Sequence, residues 1–219
     1  MMAMDNLDPI IEGIRATLEA KNAARDATLA RSRELIRLCA LSIRATHREE
    51  FDEAEKLLND ARRAADQMKA GIVDYPDLYH TGYTQDALKE VVEATAVYAI
   101  VRGRPLPTPG ELGVEAAAYL NGLAEAASEL RRHALDVIRQ DRNAEAERLL
   151  AAMDDIYGEL VTMDFPDAIT GGLRRTTDAL RGVLERTRGD LTATLQQDKL
   201  KKALREFESK IDRQQTNDK

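Results

Sequence analysis

The chain has no tryptophan, only three phenylalanines and a single cysteine, and runs of β-branched residues are few. That shortage of strand formers excludes a sheet-based fold. Six prolines and twelve glycines in 219 residues leave long stretches without a helix breaker. No apolar run approaches the roughly 20 residues of a membrane span. The N-terminus, MMAMDNLDPIIEG, carries acid where a secretory signal would carry basic and then apolar residues. Cys39 has no partner for an intrachain disulfide and falls in an amphipathic pattern where a small buried hydrophobe is expected. These absences lead us to expect a cytoplasmic protein with no membrane partner. The net charge of -7 argues against a surface built for indiscriminate binding of phosphate backbones, and the acidic balance fits a prokaryotic or archaeal cytoplasm. From Gly171 to Arg213, however, eleven Lys/Arg stand against seven Asp/Glu, so a local basic surface is available.

What remains is helix-former usage: alanine, leucine, arginine and glutamate dominate, with 43% hydrophobic and 32% charged residues. The expected fold is all-α, one antiparallel bundle of six to seven helices occupying residues 1–213, with 214–219 (QQTNDK) a frayed tail. A first helix is read from about Asn6 to Thr46, on the recurrence of Leu7, Ile11, Ile14 and Leu18 and again of Leu29, Ile36, Cys39 and Ile43. Its length points to a bundle or an oligomer. Further helices are expected at about Glu49–Ala70, Thr84–Arg102 with Thr84 as cap, Pro109–Gln140 with Thr108 as cap, Ala144–Thr162, Asp167–Arg188 and Leu191–Arg213.

Two helices carry an anomaly. LKEVVEATAVYAIV (Leu88–Val101) is apolar nearly all round, which marks a helix buried on both sides, yet Glu90 and Glu93 share a face with Val97 and Val101. Buried carboxylates are costly unless paired, protonated or bound to a cation. Farther on, Glu125 and Glu129 lie four residues apart on the face opposite the Leu123–Leu130 stripe, among the small residues Ala118, Gly122 and Ala126. Two pairs of carboxylates on separate helices supply four or more oxygen ligands, a set suited to Mg²⁺ or Mn²⁺ rather than Zn²⁺. The Glu-x-x-His pair of di-iron bundles is absent, because His133 follows Glu129 at i+4. A carboxylate-bound Mg²⁺ can activate water and stabilise charge on a phosphodiester. Charges at these spacings also mark ordinary solvated helix faces, so periodicity alone leaves a helical bundle with a candidate carboxylate site. No Ser/His/Asp or Cys/His set and no Gly-rich phosphate loop is visible. Tyr75, Tyr79 and Tyr83 are candidates for stacking on bases, with packing the alternative.

Three segments resemble the translin family, in particular its Trax (translin-associated factor X) branch. EVVEA (Glu90–Ala94) resembles the Trax E-x-x-E-A motif. AYLNGLAEAASELRR (Ala118–Arg132) resembles D-Y-L-L-G-x-A-D-x-x-x-E-L-x-R. ARDATLARSRELIR (Ala24–Arg37) resembles R-D-x-T-x-x-S-K/R-R. The resemblance implies a seven-helix subunit of a homo-oligomeric barrel, commonly an octamer, that cleaves single-stranded RNA with Mg²⁺ (or Mn²⁺). It assigns Glu90, Glu93 and Glu129 as catalytic metal ligands and puts Glu125 where the family usually has Asp, one methylene shorter. Ala118 replaces another usual Asp. Translin itself lacks this acidic set, so the quartet favours the catalytic branch. The alternative is a non-catalytic module that binds single-stranded RNA or DNA. Arg25, Arg31, Arg33 and Arg37 become candidate RNA contacts, with Arg131 and Arg132 as neighbours of the site. Their alternative is a solvated face paired with Asp26 and Glu34.

Overall fold

The computed structural model describes residues 6–217, with side chains through 211, and contains no strand among them. Among the described residues nine helices follow one another: α1 (Leu7–His47), α2 (Phe51–Ala70), α3 (Pro76–Tyr79), α4 (Gly82–Val101), α5 (Pro109–Leu112), α6 (Ala116–Ile138), α7 (Asn143–Leu160), α8 (Asp167–Thr170) and α9 (Leu173–Asn217). Three of these, α3, α5 and α8, are single turns within connections, so six long helices build the bundle.

The two-sided apolarity of α4 has a structural cause: it is shared by two cores. Ala87, Leu88, Val91, Ala94 and Tyr98 pack with Leu35, Cys39, Leu58, Ala61 and Met68 of α1 and α2. Ala96, Val97, Ile100 and Val101 pack with Leu130, Leu149, Met153, Leu180 and Leu184 of α6, α7 and α9. A central helix of this kind can present polar groups only where a neighbour leaves a gap, and Glu90 and Glu93 stand in such a gap, half-buried.

Several boundaries differ from the periodicity. Thr84 is not the cap of α4; Thr81 is, while Thr84 is buried and donates its hydroxyl to the Leu78 carbonyl at 2.8 Å. Thr108 does cap, in a reciprocal box with Glu111, but the helix it opens ends one turn later at Gly113, whose φ of +62° is a left-handed conformation that only glycine adopts cheaply. The separate helices expected at about 167–188 and 191–213 are instead a single turn, α8, followed by one continuous α9 through Gly189. Thr187 and Leu191 on either side of that glycine are buried, and their packing outweighs the ~1 kcal/mol that a mid-helix glycine costs. Of the tail expected at 214–219, α9 includes the part through Asn217; residues 218–219, like 1–5, lie outside the described residues.

Both ends of the chain carry apolar stripes that touch no core. Leu7, Ile10, Ile11, Ile14 and Leu18 on the first half of α1 are exposed, as are Leu200, Leu204, Phe207 and Ile211 on the second half of α9. No described helix is long and apolar enough to cross a membrane.

Candidate metal centre

The packing of α4 on α6 is close because of Gly122. A Cβ built there would lie 2.6 Å from Val92 Cβ and 2.8 Å from the Lys89 carbonyl oxygen, well inside contact distance. Ala118 and Ala126, one turn to either side, are also buried. The small-residue face of α6 is therefore occupied by the α4 backbone, and Glu125 and Glu129 are carried up to Glu90 and Glu93. One carboxylate oxygen from each of Glu90, Glu93 and Glu125 lies within 4.8 Å of the others. All three residues are half-buried.

The fourth glutamate is held slightly apart. His47, the last residue of α1, donates from Nε2 to Glu129 Oε1 at 2.7 Å. The Lys89 ammonium, from α4, donates to Glu125 Oε1 at 2.8 Å. The quartet thus resolves into a cluster of three carboxylates, one of them capped by an ammonium, and a fourth tied to an imidazole.

Proximity and burial act together on the acids. Burial, followed by the charges of Glu90, Glu125 and Glu129, pushes the Glu93 carboxyl up to about 8, against the weaker pull of Lys89. Burial also raises Glu90; Lys89 pulls it down, and Glu125 and Asp86 push it up again. For Lys89, burial works against the charged form, but the hydrogen bond to Glu125 and the charges of Glu125, Glu90 and Asp86 outweigh it, so the group is raised. The Cys39 thiol is pushed up by burial and then by Glu90 and Glu93, which places it behind the cluster as an inert, protonated packing group. Without a cation, Glu93 therefore holds its proton at neutral pH. The donor set consists of carboxylate oxygens alone, converging from two rigid helices and short of positive charge, which fits a hard divalent ion such as Mg²⁺ or Mn²⁺.

His47 belongs to a buried pair that the sequence did not single out as part of the site. Its ring stacks on His133 with centroids 5.7 Å apart and planes at 27°. His133 Nε2 lies 3.8 Å from Glu145 Oε1. Burial, and then the neighbouring His47, lowers the His133 pKa, so this ring is neutral at physiological pH. His47 Nδ1 and both ring nitrogens of His133 are buried without a hydrogen-bond partner. With Nε2 engaged by Glu129, Nδ1 is the ring atom left facing the interior without a partner. The available signal was weak: position 47 continues the buried i, i+4 row of Cys39 and Ile43, where a histidine ordinarily reads as core.

The candidate RNA-facing arginines are not gathered at the acids. Arg25 pairs with Asp26 at 3.0 Å and Arg37 with Glu34 at 2.6 Å, both along α1 itself. Arg31 reaches the Gln67 carbonyl of α2 at 3.4 Å. Arg33 is exposed, one helical turn from Arg37. Arg131 turns from the cluster toward α9, bonding Thr187 Oγ1 at 3.1 Å and Asp190 at 2.8 Å, and Arg132 is exposed. Tyr79 packs edge-on against His80 with centroids 4.9 Å apart, and the Tyr83 hydroxyl is buried. Both serve packing.

Comparison with known proteins adds relatives to this geometry. No family model matches the chain. An uncharacterised protein of Methanocaldococcus jannaschii is 33% identical over 207 residues, covering 94% of this chain and 90% of its own. Among solved structures, the AfC3PO–duplex RNA complex superposes with a TM-score of 0.78 at 37% identity, covering 84% of this chain and 95% of the other. AfC3PO alone gives the same TM-score at 36% identity, covering 84% and 96%. Apo-NeC3PO, at 22% identity and a TM-score of 0.75 over 89% of this chain and all (100%) of that one, shares the fold.

Proposed function

The chain belongs to the translin/C3PO family, and on that basis we propose that it is a Trax-type member, a divalent-metal-dependent endoribonuclease acting on single-stranded RNA within a homo-oligomer. The observation that carries this reading is the convergence of Glu90, Glu93 and Glu125, with oxygens within 4.8 Å, on two helices fixed by the Gly122 contact. These three would hold Mg²⁺ or Mn²⁺, with Glu129 one turn along α6 completing the acidic set. Such an ion, when bound, supplies a Lewis acid that activates water and offsets charge on the phosphodiester. The chain's own residues supply the rest. Glu93 gives up its proton as positive charge arrives, His47 fixes one oxygen of Glu129 so that the other is free to face the cluster, and Lys89 keeps one cation at its edge.

RNA as the ligand is supported by AfC3PO, whose structure was solved with duplex RNA. Assembly is supported by the exposed surface of 13620 Å², against about 10000 Å² expected of a compact monomer of 24.4 kDa. The exposed apolar stripes of α1 and α9 are the kind of surface that a second subunit buries.

A second reading, a module that binds single-stranded RNA or DNA without cutting it, is favoured by one observation: Glu125 and Glu129 already have protein partners. The two readings separate in one assay. Labelled single-stranded and duplex RNAs are incubated with the wild type, Glu93→Gln and Glu129→Gln in Mg²⁺, Mn²⁺ or EDTA. The endonuclease reading expects internal cuts in the single strand that EDTA abolishes, and variants that fold and bind but cut at least 100-fold more slowly, roughly the loss expected when a transition-state charge stabiliser goes. Binding without cutting in every metal selects the second reading.

A further inference from the structure

Among the described residues, Lys89 is the cation that meets the acidic cluster. Its ammonium spans from α4 to α6 and sits 2.8 Å from Glu125 Oε1, and its charge is felt at Glu90 and Glu93 as well. None of the six candidate arginines takes that place: Arg131 is spent on Asp190 of α9, and Arg25, Arg31 and Arg37 are engaged on α1 and α2. His47, the other group bonded to an acid of the quartet, is locked in, with a side chain only 3% exposed. Lys89 differs. Its side chain is 21% exposed and that of Glu125 33%, so the pair lies at the open rim of the cluster, on a stem with four rotatable bonds.

We propose that Lys89 is a phosphate-binding residue held in reserve: it occupies Glu125 in the metal-free protein and transfers to a phosphodiester oxygen of RNA when a divalent cation takes the Glu125 carboxylate. This rests on the metal-centre reading above. Two positive groups on one carboxylate repel, and a divalent ion binding Glu90, Glu93 and Glu125 together outcompetes a monovalent one that holds Glu125 alone. The displaced ammonium remains within a side chain's reach of the same ion. An RNA phosphate drawn to that ion is then the anion nearest to it, and a compact, mobile ammonium suits a phosphate oxygen. The arrangement couples metal occupancy to RNA binding: the protein meets RNA with its full local positive charge only after the metal has arrived. No covalent step is involved; one ion pair is exchanged for another.

The test compares Lys89→Met and Lys89→Arg with the wild type in two binding measurements that do not depend on turnover. Mn²⁺ affinity is read without RNA by electron paramagnetic resonance. Affinity for a fluorescein-labelled single-stranded RNA is read in EDTA and in Ca²⁺ across a salt series. Lys89→Met should bind Mn²⁺ several-fold more tightly, because the competing cation is gone. In EDTA it should bind RNA like the wild type. In Ca²⁺ it should bind RNA more weakly, with a log–log salt slope smaller by about 0.7, the loss of one phosphate contact on a single strand. Lys89→Arg, which also controls for folding, should restore that slope. Mn²⁺ affinity that is unchanged or weaker in Lys89→Met makes the pair a simple helix tie and overturns the proposal. A tighter Mn²⁺ site with an unchanged salt slope overturns the transfer to RNA. A wild type that takes up no Mn²⁺ defeats both this proposal and the metal-centre reading. A wild type that binds Mn²⁺ and RNA but never cuts defeats only the endonuclease reading and leaves the Lys89 comparison decisive.

Discussion

At the scale of single residues, Glu93 concentrates the electrostatic tension of the site. Its carboxyl ionises near 4.5 in the unfolded chain and only at about 8 in the fold. Between those values the native state keeps a proton that the unfolded chain has lost, so stability falls as pH rises through that window and levels off above about 8. The loss is at most a few kcal/mol, at roughly 1.4 kcal/mol per unit of pH. Thermal melts of the metal-free protein from about pH 5 to about pH 9 should show this decline, Glu93→Gln should flatten it, and Mn²⁺ should raise Tm most at the alkaline end. His47 is predicted to act through Glu129. His47→Leu, which removes the donor, should weaken Mn²⁺ binding by roughly tenfold to a hundredfold, whereas His47→Gln, whose amide reaches the same place, should stay within a few-fold. Equal losses in a Mn²⁺ titration of the two variants would show that His47 merely fills space. The acids were legible in the sequence as candidates, from the apolar surroundings of Glu90 and Glu93 together with the Trax resemblance, because their spacing alone also fits a solvated helix face. Their partners were not. Lys89 lies 36 residues from Glu125 and His47 lies 82 from Glu129, and no local pattern reports a contact made by tertiary packing.

At the scale of elements, the contact of α4 with α6 sets the site, and Gly122 sets the contact. Gly122→Ala puts a methyl group against Val92 and the Lys89 backbone. It should cost about 1–3 kcal/mol as an overpacked interface and lower Mn²⁺ affinity along with Tm, by prising the two carboxylate pairs apart. A variant that melts normally yet loses the metal would sharpen this assignment; one unchanged in both would refute it. Glycine also shows where sequence reading of elements succeeds and where it stops. Thr108 and Pro109 announced a helix start correctly, but the stop at Gly113 depends on a left-handed turn in which Val114 N–H reaches the Pro109 carbonyl. Gly189, equally free to break its helix, does not, because the buried residues on both sides keep α9 continuous. The residue type is the same in both cases, and the surrounding packing decides. The all-α class and the long helices, by contrast, needed only composition and the 3.6-residue period.

At the scale of the whole molecule, the proposed assembly would account for the apolar stripes left exposed on α1 and α9. The stripes on α1 and α9 repeat at spacings of three and four, the pattern of a helix seam awaiting a partner. Light scattering should find an oligomer for the wild type, and Ile14→Asp with Leu18→Asp should reduce its mass while leaving the helical signal intact. A monomeric wild type would contradict the expected assembly. The length of α1 hinted at association in the sequence, but which half of it stays bare became visible only once α2 and α4 were seen to cover the other half. Anomalous scattering from crystals soaked in Mn²⁺ probes the proposed carboxylate metal centre itself. The expected result is a manganese peak bounded by Glu90, Glu93 and Glu125, with Lys89 turned away from Glu125. No peak there at millimolar Mn²⁺, or manganese bound only elsewhere on the surface, would contradict it.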